Sequence, residues 1–167
     1  MAPPRAPIAF TAAAAAGITQ VDIVGSQDKR WYTAHTGSFT AWGRPDMTVR
    51  GGNYLGELVA RFVLGDPVIR EARDSIGTPD PNAVTVVVLD GPAGLTPRAP
   101  LALMDGAPEY HQQVFDWLDG GQPEVVDKLL LEPALWHELA DVRPHQAELI
   151  DHDDTLGVGR YVAQWCV

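Results

Sequence analysis

From residue 19 to residue 50 apolar and polar positions alternate in short runs divided by turn residues, the period of half-buried β-strands. Val21 and Ile23 alternate with polar neighbours over 19–24, and turn-rich residues 25–30 follow. Further runs at 31–36, at 39–42 behind Gly37-Ser38, and at 46–50 behind Gly43-Arg44-Pro45 predict three more strands. The period then changes. Behind Gly51-Gly52-Asn53, the residues Leu55, Leu58, Val59, Phe62 and Val63 recur at i, i+3, i+4, i+7 and i+8. That spacing predicts one apolar helix face, with Glu57 and Arg61 set for an i,i+4 ion pair outside it. Gly65 marks its end, and Asp66-Pro67 reads as the N-cap and first residue of another helix reaching Gly77.

Residues 84–89, Val-Thr-Val-Val-Val-Leu, form a nearly unbroken β-branched run and predict a strand buried on both faces. An irregular stretch from Asp90 leads to a short strand predicted over 101–104. Three helices are then predicted over 108–118, 123–131 and 133–140, each with proline at or near its start. Runs at 147–151 and 158–167 predict a closing hairpin, with Tyr161, Ala163, Trp165 and Val167 on one face. There is no internal repeat and no linker composition. The order predicts a single α+β domain over 8–167 behind a loose tail at 1–7. It would hold a mixed sheet packed by helices, a β-hairpin region near its N-terminus and a β-hairpin at its C-terminus.

Composition narrows the class. A chain of 167 residues that is 46% hydrophobic can bury a proper core. Lysine occurs only twice, at Lys29 and Lys128, while arginine is frequent, which suggests a bacterial genome rich in GC. Cys166 is the only cysteine, so neither an intramolecular disulfide nor a cysteine-based zinc framework is available. Residues 8–17 are alanine-rich and follow Pro3, Pro4 and Pro7, which reads as a tail entering an element rather than a signal peptide. No run approaches the ~18 apolar residues of a bilayer span, and the expected compartment is the cytoplasm.

The net charge of −10 argues against a surface that tracks a nucleic-acid backbone. Its distribution says more. Residues 1–104 carry nine acids and nine bases, whereas residues 105–154 carry thirteen acids against Lys128 and Arg143. The whole imbalance lies in one contiguous stretch.

The run at 34–51, AHTGSFTAWGRPDMTVRG, holds Thr40-x-x-Gly43-x-Pro45 followed by an acidic and an apolar residue. It resembles the opening of an uncharacterised small bacterial domain family of actinobacterial type. There a strand passes into a helix like the 55–63 stripe, and the likeness extends over 34–64. The family offers no catalytic residues, so the resemblance implies local structure and no function.

Four stretches invite chemistry. Gly51 and Gly56 occupy the outer positions of a G-x-G-x-x-G fingerprint, but Asn53 stands where the middle glycine admits a pyrophosphate, and the dinucleotide reading fails. Asn53 is then expected as an N-cap. Asp90 ends the β-branched run and precedes Gly91, a position where ligands gather in parallel sheets and an acid can act as a base. His35 is expected on a strand face with Trp31 and Thr33. His111 and His137 lie on predicted helices and His145 in a loop, with no spacing that sets two ligands on one face. Asp151-His152-Asp153-Asp154 lacks the alternate spacing, the sixth-position glycine and the closing glutamate of a calcium loop. It reads as a hairpin tip, and no metal or cofactor is expected.

Two functions fit. In the first, the acidic 105–154 surface meets a basic protein partner, as immunity proteins and inhibitors do. Tyr110, Trp117 and Trp136 would anchor that contact within a rim of Asp116, Asp119, Asp127 and Glu138. In the alternative, a small enzyme or ligand-binding protein uses His35 and Asp90 as an acid/base pair in one pocket. The sequence favours the first. It does not fix the oligomeric state.

Overall fold

The computed structural model describes residues 17–167. The expected tail at 1–7 and the alanine-rich run lie outside them. The fold class is α+β: a parallel sheet, two antiparallel hairpins and, among the described residues, three α-helices. The chain divides into two compact units, Met1–Leu89 and Asp90–Val167.

In the first unit, β1 (Gln20–Val24) is the middle strand of a three-stranded parallel sheet. On one side it pairs with β4 (Ile69–Arg73), on the other with β5 (Ala83–Val87). Between β1 and β4 lie a small antiparallel hairpin, β2 (Ser38–Phe39) and β3 (Arg44–Thr48), and helix α1 (Leu55–Val63). A parallel pair needs such a long crossover, because its second strand must return to the same end of the sheet. Val21 and Ile23 point toward α1, where they meet Ala60 and Leu64, with Ile69, Ala72, Val86 and Val88 packed around them.

Several expectations are corrected here. The interior strand is β1, and β5 is an edge strand, half-buried along its length. Its β-branched run reflects packing against the sheet core rather than cover on both faces. Residues 67–77 hold β4 and no helix. Asp66 adopts a left-handed backbone (φ 57°) instead of capping, and parallel pairing with β1 overrides the helix propensity of Arg70, Glu71 and Ala72. The apolar stripe of α1 is rotated by about one residue. Val59 and Val63 are 38% and 45% exposed, whereas Ala60 and Leu64 are buried. Gly56 lies against Gly25 and Val88 one turn before Ala60. Small residues at 56 and 60 let the helix approach the sheet closely, and that decides which face turns inward. Leu58 is buried, and Phe62 meets Phe39 edge-on at 6.1 Å.

Residues 31–36 form no strand. Asp28 accepts a hydrogen bond from the Arg30 amide and caps a 3₁₀ turn over Lys29–Trp31. The following bends are held by Asn53, whose side-chain amide donates to the Thr33 carbonyl and to Thr36 Oγ1, both at 2.9 Å. Asn53 is therefore not the N-cap of α1. Tyr54 holds that place and makes no side-chain cap. The run at 39–42 keeps only its first residue in a strand, and Thr40–Trp42 is 3₁₀.

In the second unit, α2 (Ala107–Leu118) buries Tyr110, His111, Val114, Trp117 and Leu118 along one face. Helix α3 (Ala134–Asp141) buries Leu135, Trp136 and Leu139. The closing hairpin is β6 (Gln146–Asp153) and β7 (Arg160–Cys166), as the alternation predicts. Residues 101–104 form no strand: Leu101 lies in a turn and 102–104 are irregular, with Ala102 at φ 56°. Residues 123–131 are not a helix either. Only a 3₁₀ turn over Asp127–Leu129 forms, because the Tyr110 hydroxyl holds the Glu124 carbonyl at 3.1 Å while Leu129 and Leu130 turn into the core.

Candidate interaction surface

The two units treat charge in opposite ways. The first carries eight acids and eight bases, and at least seven of the acids pair with an arginine. The most buried is Asp22, 1% exposed in the middle of β1. Arg70 meets it at 2.5 Å and Arg73 at 3.1 Å, both from the neighbouring strand, and Arg70 also holds Asp80 at 2.6 Å. The Arg70 hydrogen bond, and after it Arg73, holds the Asp22 carboxyl below its ordinary pKa against the burial that would raise it.

The second unit carries fourteen acids and four bases. Of the thirteen acids between 105 and 154, ten are exposed, which makes the imbalance a property of the surface. Asp116 and Asp119 sit at the C-terminal end of α2, Asp127 in the 3₁₀ turn, and Glu138, half-buried, on α3. Asp119 also has a structural task, accepting the Leu149 amide at 2.9 Å and so fastening β6. Asp127 meets His137 Nε2 at 2.7 Å in an exposed pair.

The aromatic residues expected as partner anchors are interior. Tyr110, Trp117 and Trp136 are 2%, 3% and 1% exposed. Trp117 and Trp136 pack with ring centroids 5.5 Å apart, and the Trp136 indole donates to the Asp90 carbonyl at 2.9 Å. Their helical spacing beside acidic positions marks the buried face of an amphipathic helix, and sequence alone does not separate that from an anchor within a rim.

His35 is exposed in a turn of the first unit, not on a strand, where its amide bonds to Thr33 Oγ1 at 3.1 Å. A hollow of about 10 Å³ beyond the carboxyl ends of β1 and β4 is lined by Gly25, Ser26, Tyr54, Glu57 and Arg73, among others, and His35 does not line it. Asp90 opens the second unit and keeps contact with solvent. Desolvation of its carboxyl, and then Glu132, raises its pKa. Also in the second unit, Thr96, Pro97, Arg98, Thr155 and Leu156 line an open depression of about 520 Å³.

The 151–154 cluster closes a hairpin, with residues 154–159 as its turn. Asp153 pairs with Arg160 across it, and Asp151 accepts the His152 amide. Among the described residues no three His, Cys, Asp or Glu side chains come together to hold a metal ion. None of the described helices is long and apolar enough to cross a membrane.

One constellation escaped the sequence reading. His111 Nδ1 is hydrogen-bonded to Tyr161 Oη, fifty positions away, and Nε2 faces Asp154 Oδ2 at 3.5 Å. Phe115 lies between His111 and His152 in tilted ring contacts, with centroids at 4.5 and 4.3 Å. The one sequence signal was a pair of glycines. A Cβ at Gly159 would collide with Tyr161 Oη and with His111, and one at Gly91 with the Gly159 carbonyl.

Comparison with family models, with curated proteins and with solved structures gives no match.

Proposed function

We propose that the protein is a binding module whose second unit presents its acidic surface to a basic protein partner. One observation carries this reading. Arginine neutralises the acids of the first unit locally, while the second leaves an excess of ten negative charges, mostly in solvent. A one-sign field of that kind accelerates encounter with a basic surface and rejects acidic ones. With the large aromatics interior, affinity would rest on charge and on smaller exposed apolar groups such as Leu103 and Leu156. The test is capture from the source organism at low and high salt, followed by association kinetics with the purified partner. The on-rate should fall steeply as salt shortens the screening length from ~10 Å at 0.1 M to ~3 Å at 1 M. Asp116→Lys and Glu109→Lys should slow association. A partner whose on-rate ignores both salt and charge reversal would overturn the reading.

A further inference from the structure

The β6–β7 hairpin is fastened to α2 at two places with different chemistry. Near its open end, the Trp165 indole donates to the Leu118 carbonyl at 2.9 Å and the Leu149 amide to Asp119. Neither bond involves a histidine. Near the turn, the attachment is His111, whose side chain is 9% exposed.

The neutral ring makes one hydrogen bond, to Tyr161 through Nδ1, and its buried Nε2 has no hydrogen-bond partner among the described residues. In the tautomer with the ring hydrogen on Nε2, Tyr161 donates to Nδ1, and Nε2 faces the Asp154 carboxylate at 3.5 Å without a hydrogen bond to it. Protonation upsets this arrangement. Nδ1 then carries a hydrogen toward Tyr161 Oη, the phenol hydrogen must turn away, and Tyr161 has no second hydrogen-bond partner among the described residues. The charged and titratable groups facing the ring are Asp154 from the turn, His152 from β6 and Tyr161 from β7. Asp154 attracts a proton, but its side chain is 59% exposed and water screens the attraction. His152 opposes it, and burial opposes it most, so the His111 pKa is lowered. Gly159 backs the pair so closely that a Cβ there would collide with both Tyr161 and His111.

We infer that His111 is a proton-operated latch: acid releases the turn of the hairpin, with residues 154–161, from α2 while the open end stays fastened. The Gly159 amide bonds to the Pro92 carbonyl and the Leu95 amide to the Gly157 carbonyl, so the segment around 92–95 loosens with it. The latch stands whether or not the acidic surface has a partner.

Linkage bounds the effect. An opened histidine titrates near 6.5, so a closed state that refuses the proton altogether favours opening by ~30-fold at pH 5 relative to pH 7.5, and any residual protonation makes it less. Hydrogen exchange of the full chain between pH 7.5 and 5, normalised to intrinsic rates, reads this directly. Opening at 154–161 should rise several-fold, up to that bound, with residues 147–149 and 163–166 unchanged. His111→Gln, which keeps a hydrogen-bonding group but cannot titrate, should flatten the response. A turn indifferent to pH, equal loosening of both ends, or the same response in His111→Gln overturns the latch. Should that variant not fold, histidine-selective NMR of the natural chain decides: His111 must titrate below 6.5, and titration at or above it refutes the proposal.

Discussion

Asp22 and Asp116 are both aspartates on regular elements, yet one is buried between two arginines and the other stands in water. The contrast runs through the two units. In the first, charge is a structural material, because β4 carries the arginines that let an acid occupy the middle of the sheet. In the second, hydrophobic packing supplies the structure, through Trp117 on Trp136 and Tyr110 on the 123–131 segment, and charge is left on the surface. A count of charges does not reveal function. The placement of the acids separates the units: most of those in the second lie exposed, whereas arginine pairs hold those of the first.

The largest effect should come from the second unit's interior. Trp136→Ala empties a fully buried site and removes the bond to the Asp90 carbonyl, and should cost ~3–5 kcal/mol in urea unfolding. A cost under ~1 kcal/mol would show that the tryptophan is not core. Next is Asp22→Asn, which leaves two arginines facing a neutral amide. It should cost ~3 kcal/mol, the low end for breaking a buried pair, because both arginines reach solvent. If Asp22→Asn proves neutral, charge is not structural in the first unit and the contrast between the units collapses.

The two units should respond to acid over different pH ranges. The lowered pKa of Asp22 means that its contribution is fully present above the ordinary carboxylate value of 3.8, and is lost as pH falls below it. His111 is also lowered, but as a base: its contribution is complete above about 6.5 and is lost as pH falls below that. Exchange followed by mass spectrometry should therefore find the 154–161 turn of the second unit loosening between pH 6.5 and 5 while the β1 amides stay protected. Simultaneous loosening would break the comparison. The smallest effects belong to the surface. Asp116→Asn should stabilise the second unit by at most ~0.5 kcal/mol by relieving self-repulsion, an effect that added salt should erase. Val63→Thr, on the outer side of α1, should change stability by no more than ~0.5 kcal/mol in chemical denaturation, whereas Leu58→Ala should cost ~2–5 kcal/mol.

The readable parts of this sequence were those where local pattern and tertiary role agree. The α+β class, β1, α1, α2, α3 and the closing hairpin all follow from period and punctuation. The misread parts are those where distant residues decide. Residues 69–73 look helical by composition, and only their pairing with Val21–Val24, which no local window contains, makes them a strand. Residues 123–131 lose their helix to a tyrosine hydroxyl thirteen or more positions away. For the surface, the acidic segment was legible as a charge imbalance, while the fate of its aromatics was not. A tryptophan spaced for a helix face is the same letter whether that face turns inward or outward. His111 and Tyr161 are separated by fifty residues, and nothing in the linear order joins them.

The parallel pairing of β1 has a consequence for the order in which the chain becomes structured. Val21 pairs with Ile69 on one side and Val84 on the other, so β1 leaves a ribosome and waits for the last strand of its sheet. At about 5–20 residues per second that wait lasts roughly 3–13 s, with Val21, Ile23 and Val24 exposed meanwhile. The closing hairpin, joined by a short turn, can form within about 1–10 μs of its residues becoming available. A nascent chain of this protein therefore carries β1 without its partner strand for about a million times longer than its closing hairpin needs to form.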